Sequence, residues 1–145
     1  MQSKLLNEAH GQRTFAVIFE TGDEVISGLN DVANEHELAG SQFTAIGAFS
    51  DVVLAYFDWS TREYQKFPLR EQMEVLTLAG DISLDDHGKR KVHAHVVLGT
   101  RDCRTRGGHL VEAHVRPTLE VILTDLPKHL QRKFDADSGL GLIRV

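Results

Sequence analysis

Apolar residues in this chain recur mostly at every second position, the period of a half-buried β-strand. The first such run, Q-R-T-F-A-V-I-F-E, predicts a strand from Gln12 to Glu20. The period then changes. From Glu24 to Leu38 the apolar positions are 25, 26, 29, 32, 33 and 38, which is helical spacing. Thr21 or Asp23 is the expected N-cap and Gly40 the expected terminator. Strand patterns resume at Ser41–Ala48 and Asp51–Trp59, read as neighbours joined by a tight turn at Ser50-Asp51. Tyr64–Leu69 and Met73–Leu84 follow, the second broken by Gly80, read as a bulge. Asp85–Gly88 has hairpin-turn composition, and Lys89–Gly99 is the returning strand. Thr100–Gly107 is a polar loop. His109–Val115 and Thr118–Thr124 are the last major strands, separated by Arg116-Pro117. Pro127 suits the start of a short helix to Phe134, and the tail L-I-R-V an edge strand. Residues 1–11 are polar and expected to fray. The resulting expectation is an α+β fold: a mainly antiparallel sheet, one central amphipathic helix and a short C-terminal helix. No linker or repeat divides residues 1–145, so one domain is expected, with its core at about residues 12–125.

The stretch K-V-H-A-H-V-V-L-G-T-R-D-C-R-T-R-G-G-H-L, from Lys91 to Leu110, carries the candidate chemistry. On a strand His93 and His95 share one face, while Val92, Ala94 and Val96 share the other. Their Cα atoms lie roughly 6–7 Å apart, close enough for both rings to lean onto one ion. His109 follows the pair Gly107-Gly108, whose freedom to take positive φ and to approach other backbone closely would return it to the first two. Three histidines form the ligand set of a catalytic zinc site and leave a fourth position open. Imidazole also suits copper, nickel and iron. Metal affinity should fall below about pH 6, because each ligand must lose a proton. Spacing alone leaves a plainer reading open, two surface imidazoles on a half-exposed strand and an unrelated loop histidine. A cupin H-x-H motif fits poorly, because Gly99 and Thr100 stand where its Glu belongs.

Other residues offer weaker signals. Glu120, in T-L-E-V-I-L, is a candidate partner behind the histidines or a general base. Alternation favours instead an outward Glu120 with Leu119, Val121 and Leu123 inward. Glu74 has the same two readings. Glu112 could orient His114. Arg101, Arg104 and Arg106 surround Cys103 in the polar loop, which reads as an anion clamp, an activated thiolate or, more simply, a solvated loop. His10, His36, His87, His114 and His129 have no metal-like spacing.

The runs V-H-A-H-V-V-L-G, G-G-H-L and T-L-E-V-I-L resemble the PPC domain, the plant and prokaryote conserved domain. G-D-E-V at 22–25, F-T-A-I-G-A-F at 43–49, L-A-Y-F-D at 54–58 and M-E-V-L-T-L-A-G at 73–80 fit in the same order. The likeness runs from about Thr14 to Asp125. It implies an α+β fold with a mainly antiparallel sheet, a homotrimer, and a metal site on His93, His95 and His109. Plant members carry AT-hooks before this domain, whereas this chain has no R-G-R-P-type segment. The function implied is a metal-binding, homotrimeric module with a DNA or transcription association that is weak or indirect, and with room for a protein or small-molecule partner. The alternative is an enzyme whose three-His zinc activates water or polarises a small substrate.

Bulk composition narrows these choices. The 145 residues carry a net charge of −5, with 41% hydrophobic and 26% charged positions, ordinary for a globular chain. No apolar run approaches the ~20 residues of a membrane helix. One cysteine rules out an internal disulfide, and the N-terminus lacks a signal-peptide core, so a cytoplasmic location is expected. A pI near 5.9 lacks the basic balance of a protein that grips phosphates. In a mobility-shift assay at physiological salt the isolated chain should therefore bind DNA weakly and without sequence preference. Sub-micromolar, sequence-selective binding would contradict this.

Overall fold

In the computed structural model, which describes residues 1–145, the dominant pattern is the two-residue period. Strands hold 67% of the residues and helix only 8%, so the fold is mainly β and not α+β. In chain order the elements are β1 (Gln2–Ala9), β2 (Gln12–Glu20), α1 (Val25–Glu35), β3 (Gly40–Asp58), β4 (Glu63–Leu69), β5 (Met73–Leu84), β6 (Arg90–Gly99), β7 (Thr105–Asp125), β8 (Gln131–Asp135) and β9 (Leu140–Arg144). Every strand pair is antiparallel except a single parallel bridge between β5 and β8.

Two long strands organise the sheet. The N-terminal half of β3 lies between β5 and the end of β7, and its C-terminal half between β4 and the start of β7. β6 pairs with both β5 and β7, so β3, β5, β6 and β7 form a closed ring of hydrogen-bonded neighbours. Closure gives these four strands a common inside. Within it Phe15, Val17, Phe19, Phe43, Phe49, Leu78, Leu98, Leu119, Val121 and Leu123 join one 26-residue core. α1 contributes Val25, Leu29, Val32 and Ala33 to that core and packs against β6 and β7.

Several expected elements take another form. Ser41–Ala48 and Asp51–Trp59 are not paired strands but one 19-residue strand, bent by register shifts between Gly47 and Phe49 and between Phe49 and Asp51. An extra residue bends a strand without reversing it. β7 likewise runs 21 residues straight through Arg116-Pro117, whose peptide is cis. The segment expected as a C-terminal helix is β8, half of a hairpin with β9. Neighbouring backbone sets its path: Leu130 N–H donates to Ala39 O and its carbonyl accepts from Leu84 N–H. β1 does not fray. Its side chains are all exposed, yet its backbone pairs with β2 and its terminal amine meets Asp23 at 2.8 Å. The helix N-cap is Glu24, whose carboxylate accepts from Ile26 N–H and Ser27 N–H and also from Ala113 N–H on β7. It ends at His36, before Gly40.

Gly80 has another role than the bulge expected there, since the β5 shift falls between Val75 and Thr77. A Cβ on Gly80 would strike the carbonyl of His93 and the ring of Phe43, so the residue permits close strand approach. No helix is long and apolar enough to cross a membrane. Phe49, fully buried at the bend of β3, is the core's sharpest test. Phe49→Ala should lower unfolding free energy by about 3–5 kcal/mol in urea titration, the usual cost of deleting a packed phenyl ring. A loss under about 1 kcal/mol would show the bend to be loosely packed.

Candidate metal centre

The β6 strand splits its residues cleanly. Ala94, Val96 and Leu98 are buried in the core, and His93, His95 and Val97 project outward. Pairing then assembles the cluster. His95 lies directly opposite His109 across the β6–β7 ladder, and His93 directly opposite Asp81 across β5–β6. Gly107 and Gly108 are not a turn and neither takes positive φ. They sit inside β7, opposite Val97 and Val96. A Cβ would come within 2.9 Å of Val96 O at Gly107 and of Ala55 O at Gly108. Bare backbone thus lets β7 fit tightly between β6 and β3 just before His109.

The three imidazoles form a compact triangle, with ring centroids 5.1, 5.1 and 5.4 Å apart. One ring nitrogen from each falls within 4.8 Å of the others. Nitrogens on one tetrahedral zinc lie roughly 3.3 Å apart, given bonds of about 2.0–2.1 Å, so small side-chain rotations close the remaining gap. Tyr64 on β4 stacks on His109 at 4.8 Å and fixes the plane of that ring. His109 Nδ1 is buried without a hydrogen-bond partner. A buried polar nitrogen in that state normally costs about 1–3 kcal/mol, and a cation or a donor at the site would satisfy it.

The electrostatics suit ligation. Burial, then the neighbouring His93 and His95 and finally Arg132, push the His109 pKa down to about 4. Burial and His93 also lower that of His95. Both rings therefore favour the neutral form, the only one able to bind a metal. Asp81 Oδ2 stands 3.5 Å from His93 Nδ1, longer than an optimal hydrogen bond. Burial alone would raise the Asp81 carboxyl, but His93 and Arg132 outweigh it and hold it below the ordinary range. Three imidazole nitrogens beside an ionised carboxylate make a set for a borderline-soft divalent ion.

The remaining candidates lie elsewhere. Glu120 is exposed between Ile18 and Ile46, and Glu74 is exposed beside Gly99 and Ala48. Arg104 pairs with Asp102 at 3.1 Å in the β6–β7 loop, and Cys103 is exposed at its tip. His114 pairs with Asp51 at 2.9 Å. Asp81, the carboxylate facing the cluster, is absent from the spacing of the histidines, although the hairpin register points to it. Counting outward from the Asp85–Gly88 turn places residue 81 opposite 93. Tyr64 and Arg132 carried no local signal.

The sequence matches the Plants and Prokaryotes Conserved (PCC) domain over residues 6–127. The chain belongs to this family. Among solved PCC-like structures, a plant- and prokaryote-conserved protein of Pyrococcus horikoshii is 29% identical over 92% of both chains, with a TM-score of 0.85. A metal-containing protein of Archaeoglobus fulgidus is 30% identical, covering 99% of this chain and 97% of that one, also at 0.85. A candidate DNA-binding protein of Bacteroides thetaiotaomicron shares the fold at 0.85, with 24% identity over 95% and 94% of the two chains. No curated protein matches. The PCC match stops before β8 and β9.

The His114–Asp51 pair gives this PCC domain a defined pH response. The Asp51 contact raises the His114 pKa above 6.5, and the same contact lowers Asp51 below 3.8. A raised histidine stabilises fully below 6.5 and loses its contribution as pH rises through the folded value. A lowered aspartate stabilises above 3.8 and loses its contribution as pH falls through its folded value. The pair should therefore help most between about pH 4 and 6.5. His114→Gln should lower the melting temperature more at pH 5.5 than at pH 8.5. Equal losses at both pH values would dismiss the pair.

Proposed function

We propose that this PCC domain is a metal-binding, homotrimeric module that holds one divalent transition-metal ion, zinc foremost, on His93, His95 and His109. The observation that carries the reading is the triangle of outward imidazoles with the orphaned buried nitrogen of His109. The metal-containing relative from Archaeoglobus fulgidus supports it. When bound, such an ion would supply Lewis acidity and tie the outer surfaces of β6 and β7 together. His93 would present Nε2 to it while Nδ1 faces Asp81. Tyr64 would hold the His109 ring, and Ala94, Val96 and Leu98 would anchor the strand beneath.

The module reading is favoured over the enzyme because the one carboxylate at the cluster is already engaged. Both Asp81 oxygens accept from Arg132, at 2.8 and 2.9 Å, which leaves it poorly suited to shuttle protons. The depression beside His93, about 310 Å³, is open and bordered by Lys91, Asp85, Asp86 and Phe134, and both of these carboxylates already accept from backbone N–H groups. Candidate DNA-binding relatives support an association with nucleic acid. The acidic balance of this chain makes that association weak or indirect.

The homotrimer rests on the outward face of the ring. Ile18, Ile46, Leu76, Val97 and Ile122 are all between 37% and 61% exposed on β2, β3, β5, β6 and β7. Register places Ile18 and Ile46 on either side of Glu120, and Val97 beside Thr77. Such a patch on adjoining strands is more apolar than a solvated sheet face and fits a second and third copy of this chain.

Two measurements test these readings. Elemental analysis of untagged protein should find about one metal per chain, lost in His93→Ala, His95→Ala and His109→Ala but kept in His114→Ala. Metal-free protein that zinc cannot reconstitute, or cluster variants at full occupancy, would reject the site. Light scattering behind gel filtration should give a trimer for the natural chain and a smaller species for Ile46→Lys. A monomer at micromolar concentrations would reject the assembly.

A further inference from the structure

The C-terminal hairpin reaches the cluster from outside the family-matched region. The backbone of β8 meets the body through one parallel bridge, Leu84 to Gln131, the Leu130 contacts and the Phe134 N–H, which donates to Asp86 Oδ2 at 3.1 Å. Most of its own side chains are solvent-facing, with Phe134 66% exposed. Arg132 and Asp135 are half-buried, and Arg132 is the more covered of the two, at 13% side-chain exposure. Its Nε donates to Ser83 Oγ at 2.8 Å, its Nη1 to Gly141 O at 3.0 Å, and its Nη2 to both oxygens of Asp81. Ser83 is itself fully buried and donates to Asp81 Oδ1 at 3.2 Å. Each of the three guanidinium nitrogens therefore has a partner, and Nη2 makes both its contacts to Asp81.

The held neighbour is the carboxylate facing His93. A metal-ligating imidazole needs its second ring nitrogen fixed by an acceptor, which sets both tautomer and ring orientation. A carboxylate on a strand has two free torsions. Arg132 removes that freedom from Asp81 and balances its charge in a half-buried place.

We propose that Arg132, delivered by the β8–β9 hairpin, is a positioning residue for the three-histidine site: it locks Asp81 against His93 Nδ1 and so presents Nε2 to the ion. The hairpin thereby sets metal affinity from a position after the matched residues 6–127. This rests on the metal-binding reading above. The rival account is that Arg132 only fastens the hairpin to the body.

The test uses the full chain and three variants: Arg132→Met, Arg132→Lys, and Arg144→Met. Arg144 pairs with Asp135 at 3.0 Å within the hairpin and touches nothing at the cluster. Zinc affinity is read by competition with a chromophoric chelator, and the His93 tautomer by long-range proton–nitrogen spectra of the metal-free protein. Arg132→Met should weaken zinc by about 10–100-fold, the usual effect of losing an outer partner of a metal ligand. It should also turn a single Nδ1–H tautomer of His93 into a mixture. Arg132→Lys should recover part of both effects, and Arg144→Met should change neither. Unchanged zinc affinity and tautomer in Arg132→Met would overturn the proposal, as would equal weakening in Arg144→Met. If the natural chain binds no zinc, the metal reading falls. The tautomer still decides positioning: a His93 signal identical in the natural chain and Arg132→Met overturns it, and a mixture only in the variant upholds it.

Discussion

The register of β6 between β5 and β7 is the constraint on which the candidate site depends. Ala94, Val96 and Leu98 enter the core from one face of that strand, and burying a side chain such as valine or leucine is worth roughly 1.5–3 kcal/mol. A slip by one residue would expose all three and drive His93 and His95 inward, because side chains alternate faces at every step. The core therefore holds the histidines outward more firmly than any interaction among the rings could. Their meeting with His109 and Asp81 follows from cross-strand pairing at that one register.

Once the rings converge, electrostatics decides what they can do. Three half-exposed imidazoles cannot all be cationic at such separations, and burial favours the neutral forms of His95 and His109. Asp81 would be costly in this half-buried position if it stood alone. Arg132 and Ser83 supply the compensating contacts, and His93 supplies another. The cluster thus joins the neutral imidazoles of His95 and His109 to a carboxylate fixed behind His93, an arrangement that favours a cation over an anionic ligand.

Relatives in the PCC family share the scaffold that creates this register. The hairpin of β8 and β9 lies beyond the matched span, yet supplies the guanidinium that holds Asp81. The same ring of strands also turns an apolar face outward beside His95, with Val97 next on β6 and Ile122 on β7. The candidate metal centre and the proposed contact face are therefore neighbours on one surface, and assembly would bring another copy close to the ligands.

Local pattern alone determined several features. Alternation identified β2, β5 and β6, turn chemistry located the Asp85–Gly88 hairpin, and the change of period located the helix within three residues at its far end. The pairing of His93 with His95 on one face also followed from alternation. Only the tertiary structure decided the rest. Two strand-like runs divided by Ser50-Asp51 could reverse or continue, and a bulged path between β5, β7 and β4 made them one strand. Arg116-Pro117 looked like a boundary, and pairing on both sides carried β7 through it. The polar β1 had no hydrophobic signal, because backbone hydrogen bonds to β2 define it. Arg132 lies 51 residues from Asp81 along the chain, and nothing within a helix turn or a strand repeat of either residue records their contact. Periodicity reports which way a side chain points over a few residues. The partner it meets is set by packing between distant segments, and that packing decided both the mainly β class and the surroundings of the three histidines.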